Sequence, residues 1–268
     1  MINSNYRFVI CLAIYPFPFW SFRQLKNYIN RERKKLESLP IKVEIIRTKD
    51  DLSKNFELGI ILNIESARVI DNHREQLKDL RDLGIRGITP IHFFNNQYGT
   101  ACDDFTNKLE KETGLTKLGK SFIEECNKLG IWIDLSHMTD KASYEAVEIA
   151  EKPCVTHAAI RELISKKRNQ TLSIYKKIKE KDGMIGFTPW THLIGNREED
   201  YIKQFEYAID QGLESIIGIG SDFGPPIWTH QNHRSVIHLA NSIERYLPQH
   251  YQDFTSDNHL RQLAKFLS

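Results

Sequence analysis

Six polar residues stand at the ends of six apolar, strand-length runs in the 268-residue chain. Glu65 ends LNIE, His92 ends ITPIH, His137 follows WIDLS, His157 ends CVTH, Thr188 ends IGFT and Asp222 follows GIGS. Five of the six side chains are of metal-ligand or acid–base type. One histidine at a strand end is more often a surface residue or a hydrogen-bonded core residue. The recurrence along the chain carries the argument. A His/His/Glu/Asp set gives nitrogen and oxygen ligation suited to zinc and related divalent ions. A carboxylate such as Glu65 can bridge two ions. A bound ion brings the pKa of water towards neutrality and polarises a carbonyl. The pattern points to metal-assisted hydrolysis of an amide or ester.

The elements that would position these residues repeat. The runs at 131–135 and 153–156 have strand length and β-branched content, and helix-length segments follow them. Strand then helix is the unit of an α/β protein, whose chemistry sits at the C-terminal ends of parallel strands. Core strands are expected at 7–14, 58–64, 85–91, 131–135, 153–156, 184–187 and 215–220, with a short alternating strand at 42–47. Helices are expected at 21–36, 71–83, 116–129, 140–151, from about 159, at 173–181 and 198–211, and in the tail at 232–246 and 256–267. A long loop at 93–113 is the kind found at functional rims. The alternation argues a (β/α) barrel or a doubly wound sheet. Seven core strands are one fewer than a barrel requires.

Composition narrows the class. Apolar residues make up 40% and charged residues 27%, with a net charge of +2. That is a globular protein with no electrostatic case for nucleic acid. Residues 1–268 are expected to form one domain. No apolar run approaches the roughly 20 residues of a membrane span. The apolar stretch at 8–20 is broken by Pro16 and Pro18 and does not read as a secretory leader. Cys11, Cys102, Cys126 and Cys154 are widely spaced without a CxxC pair. They suggest reduced thiols and a cytoplasmic protein.

The motifs GIRGITPIHFFNN, LGIWIDLSH, KPCVTHAAIR, KKRN and IGIGSDF together resemble the membrane (renal-type) dipeptidases. These are zinc metallopeptidases related to the amidohydrolases. The resemblance spans about Phe56 to Phe223. It implies a (β/α)8 TIM-type barrel, here lacking the first strand and followed by C-terminal helices. It also implies one or two zinc ions and cleavage of dipeptides by a metal-activated hydroxide. By motif, Glu65 matches the bridging carboxylate, His137 and His157 the histidines of the second ion, and Asp222 the aspartate at the first ion that also moves a proton. His92 matches the histidine that steadies the tetrahedral intermediate. Arg168 matches the arginine that grips the substrate's free C-terminal carboxylate, and Asn169 beside it and His92 are expected to bind substrate as well. The family forms dimers, which implies a homodimer here.

The chain departs from the family at the start. The family's first strand ends in His-x-Asp, which supplies two ligands of the first ion. No His-x-Asp occurs in this sequence, and no histidine precedes His73. The chain is expected either to be a fragment of a longer protein or to bind one metal or none. The alternative function is therefore a catalytically silent or single-metal homologue, acting as a binding protein or on a non-peptide amide or ester. The family's glycine pair after the bridging glutamate is Ser66-Ala67 here, and its second acid after GSDF is Gly224.

Overall fold

A computed structural model describes residues 8–17, 19–71, 73–102, 113–224 and 229–268. The expected first residue of the opening strand, Arg7, and part of the 93–113 loop lie outside the described residues. Eight strands form one sheet: β1 (Phe8–Ile14), β2 (Val43–Ile45), β3 (Leu58–Glu65), β4 (Ile85–Thr89), β5 (Trp132–Asp134), β6 (Pro153–Ala158), β7 (Met184–Phe187) and β8 (Ile217–Ile219). Seven follow one another in the order β1-β3-β4-β5-β6-β7-β8, and every pairing is parallel. This is the curled parallel sheet of a TIM-type barrel with seven strands on its path. β1 and β8 stand at the two ends of that path.

The helices are α1 (Phe22–Glu37), α2 (His73–Asp82), α3 (Lys117–Lys128), α4 (Asp140–Ile149), α5 (Leu172–Glu180), α6 (Thr191–Ile194), α7 (Glu198–Asp210), α8 (Val236–Tyr246) and α9 (Asn258–Phe266). Local chemistry sets their starts. Ser21 and Gln24 form a capping box at α1, Thr116 accepts from the Gly119 amide at α3, and Thr139 accepts from the Ala142 amide at α4. Such caps satisfy amides that the helix leaves without partners. Strands β3 to β7 are buried on both faces, as parallel strands under helices must be. Ile60, Leu62 and Ile64 of β3 lie in the large core with Leu25 and Ile29 of α1.

The short strand expected at 42–47 forms, but it is absent from the seam between β8 and β1. Its core, β2, pairs with β3 at 58–60, while β1 runs along the other edge of β3 and β4 takes over pairing from Leu62 onward. β2 therefore stands in line with β4, at the N-terminal end of the strands. The helix expected from about Ala159 is also absent. Residues 159–171 form turns closed by a parallel bridge between Ile160 and Gln170. The Arg161 guanidinium holds that loop by donating to the carbonyls of Lys167 and Asn169. These bonds replace the i to i−4 ladder that the apolar spacing suggested.

The floor of the barrel is a second apolar cluster. Trp132, Cys154, Met184 and Ile61 meet Leu263, Phe266 and Leu267 from the C-terminal end of the chain. Trp132 and Phe266 have ring centroids 5.6 Å apart. The indole fits because its neighbour on β4 is Gly87. A Cβ there would stand 1.9 Å from Trp132 Nε1. Nothing flexible can give way, since Trp132 is fully buried. Overpacking of this kind costs about 1–3 kcal/mol. Gly87→Ala is expected to lower the unfolding free energy from urea denaturation by that amount, with a lower midpoint, and an unchanged midpoint would show that the floor is loosely packed.

Candidate metal centre

Glu65 is the last residue of β3, and one of its oxygens is the focus of the rim. Oε1 lies 3.2 Å from His92 Nε2, 3.4 Å from His137 Nε2 and 3.3 Å from His157 Nε2. His137 Nε2 and His157 Nε2 are 3.0 Å apart. Asp222 Oδ1 stands 3.8 Å from His157 Nε2. The donors fall into two overlapping groups that share Glu65, one with His92 and His137 and the other with His157 and Asp222. Two ring nitrogens facing each other at 3.0 Å cannot both present bare lone pairs. A proton or a cation must lie between them. The donor set fits a divalent ion of zinc type by element, number and convergence.

The electrostatics follow the neighbours. Burial pushes the Glu65 carboxyl up, but the imidazoles of His137, His157 and His92 more than offset this and hold it well below the usual carboxylate range. Burial, with the nearby charge of His137, pushes His92 down to about 4. Burial also works against a charge on His157. There Asp222 and Glu65 win, and the imidazole is raised above its ordinary value. The same rim thus favours a neutral His92 and a charged, metal-free His157.

The backbone is strained at three of these positions. Ser66, directly after Glu65, has φ 100°, His137 has φ 70° and Asp222 has φ 50°. Residues other than glycine rarely adopt such angles, and they persist where the surroundings over-determine them. At Ser66 the amide is held by the Thr89 carbonyl at 3.0 Å. The replacement of a family glycine by Ser66 falls where a glycine is conformationally suited.

The expected ligands Glu65, His137, His157 and Asp222 are brought together, and His92, expected to steady the intermediate, joins them as a candidate donor. Thr188 is fully buried at the rim but belongs to neither donor group. Arg168 is brought beside them, 4% exposed, with Nη2 donating to the His157 carbonyl at 2.8 Å. Asn169 is turned away into the 159–171 loop, where its Nδ2 donates to the carbonyls of Ile164 and Leu193, each at 2.9 Å. Two features were not singled out from the sequence. Tyr15, just after β1, packs its ring against His92 at 4.7 Å. Asp134 lies beneath the donors and accepts from Ser136 N and Oγ, Thr156 N and Oγ1, and Thr89 Oγ1. The signal for Asp134 was present as an acid at the end of an apolar strand, three residues before His137.

Comparison with known proteins gives the family. The family model described as membrane dipeptidase, peptidase family M19, matches residues 20–266. The chain belongs to this family. Dipeptidase tcpJ of Claviceps purpurea is 26% identical over 216 residues, covering 76% of this chain and 49% of that protein. The chain spans about half the length of the curated relatives it matches. An amidohydrolase structure from Pseudomonas aeruginosa superposes with TM-score 0.85 at 22% identity, covering 97% of this chain and 89% of that one. A metallopeptidase structure from Rhodobacter sphaeroides, liganded with a phosphinate mimic of the dipeptide L-Ala-D-Ala, gives TM-score 0.80 at 19% identity, covering 95% and 85%. These likenesses carry the TIM-type fold of the membrane dipeptidases onto this chain.

The strain at Ser66 is testable. Ser66→Gly relieves a φ that costs about 1–3 kcal/mol, against an unfolded-state entropy loss of up to about 1 kcal/mol. The variant is expected to be about 1 kcal/mol more stable in urea denaturation. A destabilised variant would show that Ser66 is not strained.

Proposed function

We propose that this chain is a metal-dependent hydrolase of dipeptides. The observation that carries the reading is the convergence of three imidazole Nε2 atoms on Glu65 Oε1, with Asp222 beside His157. Family membership supports peptide hydrolysis. Glu65, His137, His157 and Asp222 would hold one or two zinc ions, with Glu65 shared. An ion there lowers the pKa of water and polarises the scissile carbonyl. His92, kept neutral by burial and by His137, offers a ring N–H to the oxygen that gains charge at that carbonyl. Asp222 accepts a proton from the attacking water and returns it to the leaving amine. Arg168, buried beside His157, clamps the substrate's C-terminal carboxylate, since its planar fork suits bidentate binding. Asn169 braces the loop that carries Arg168.

No helix among the described residues is long and apolar enough to cross a membrane. Buried thiols at Cys126 and Cys154 support the cytoplasmic expectation. The second reading is a silent homologue that keeps the fold for binding.

Elemental analysis and dipeptide hydrolysis test these readings together. The purified chain is expected to hold one or two zinc ions and to cleave dipeptides with a free C-terminal carboxylate. His157→Ala is expected to lose bound zinc and at least about a hundredfold in kcat/KM, since only displaced ligands and a lost activating ion explain both. A chain that binds no zinc, or that keeps metal and activity in the variant, overturns the proposal. Acidity gives a further check. His157 must release its proton to bind metal, and its pKa is raised. Apparent zinc affinity, read by a competing chromophoric chelator, is therefore expected to increase as pH rises, by up to about tenfold per pH unit below that pKa, and then to level off. His92 is already neutral in this window and adds no slope.

A further inference from the structure

Below the donor cluster, three strand ends are tied to one buried carboxylate. Asp134 closes β5 and is 4% exposed. Its Oδ1 accepts from the amides of Ser136 and Thr156, each at 3.0 Å, and from Ser136 Oγ at 2.8 Å. Its Oδ2 accepts from Thr89 Oγ1 at 2.8 Å and from Thr156 Oγ1 at 2.6 Å. Five donors on two oxygens describe an ionised carboxylate. Thr156 Oγ1 also lies 2.7 Å from His157 Nδ1. A hydroxyl has one proton, and here it goes to Asp134. The remaining contact then requires His157 Nδ1 to carry a hydrogen and donate it to Thr156 Oγ1. His157 N donates to Ser136 Oγ at 3.3 Å, which holds the backbone of the same residue to the same hub.

We propose that Asp134, through the Thr156 hydroxyl, is a positioning group that fixes the Nδ1–H tautomer of His157 and turns its Nε2 lone pair towards Glu65. Ligating histidines generally donate their other ring N–H to a carboxylate or carbonyl, which sets tautomer and orientation. Here a threonine stands between the ring and the acid. The backbone of the relay is closely packed. The Thr156 carbonyl sits 2.1 Å from where a Cβ would stand on Gly220, so β6 and the end of β8 are in close contact at this point. The hub also spans β4, β5 and β6, the strands that lead into His92, His137 and His157. It therefore sets one ring directly and ties together the strand ends behind all three.

The metal arm of the test rests on the proposed role of His157 as a ligand, whereas the tautomer arm does not. Two-bond proton–nitrogen correlation spectra of the metal-free, nitrogen-15-labelled chain, taken above the titration of His157, report which ring nitrogen is protonated. His157→Gln identifies the signals. The wild type and Thr156→Ser are expected to show Nδ1–H, and Thr156→Val a shift to Nε2–H or a mixture. Zinc dissociation constants are expected to weaken by about 10- to 100-fold in Thr156→Val and to recover in Thr156→Ser. Nε2–H in the wild type overturns the relay, as does an unchanged tautomer in Thr156→Val even where zinc binding falls. A wild type that binds no zinc removes the proposed function, and the tautomer shift then decides the relay by itself.

Discussion

One carboxylate oxygen organises the rim. A carboxylate withdrawn from water needs close partners, since an uncompensated buried charge is costly. Glu65 Oε1 finds them in three imidazoles within 3.4 Å. The dependence runs both ways. Without that oxygen, His92, His137 and His157 would crowd one another with no common acceptor. The surroundings then separate the three chemically. His157 also meets Asp222 and is pushed towards its charged form. Burial, and then the facing His137 with ring centroids 4.1 Å apart, push His92 towards neutrality. Groups driven apart in this way can divide binding and proton work between them.

Holding such a cluster requires backbone that a relaxed strand does not provide. Side chains alternate along a strand, so aiming donors from several strands at one point calls for a sharp bend just past the strand end. The positive φ angles at Ser66, His137 and Asp222 are those bends. They are affordable because the layer below is over-determined. Asp134 of β5 binds donors from β4, from β6 and from Ser136 just past its own strand at once. The packed floor around Trp132 fixes the other end of the same strands.

Legibility in the sequence followed the physics of each part. Path strands β3 to β7 were readable because strands buried on both faces are continuous apolar runs. The donors were readable because a charged or imidazole side chain ending such a run is out of place in a core. β2 was visible as a strand, but not its position, since pairing partners leave no local mark. The loop at 159–171 was misread because Ile160, Leu163 and Ile164 have helical spacing, while the bonds that unwind it come from the distant end of the Arg161 side chain. Asp134 was passed over because its importance lies in Thr89, Ser136 and Thr156, three ordinary hydroxyls that only the fold assembles. Asn169 was read for its type, and its amide instead holds backbone carbonyls.

The seam between β1 and β8 bears on how the site is held. On β1, Phe8 is 47% and Ile10 40% exposed, in contrast to the buried strands β3 to β7. Four of the five donors come from strands inside the continuous path from β3 to β6, away from that seam. Asp222 is the exception, since it follows β8 at the end of the path. β8 is braced from the tail instead. Asn258 Nδ2 donates to the carbonyls of Ile217 and Glu214 at 2.9 and 2.7 Å. His259 Nε2 donates to the Ile185 carbonyl of β7 at 3.1 Å. These bonds do for β8 part of what a neighbouring strand does elsewhere in a barrel. Among the described residues one strand, β7, pairs with the element that carries Asp222, and the bonds from the tail help to keep Asp222 beside His157. The C-terminal helix that closes the barrel floor is thus also a support of the metal centre.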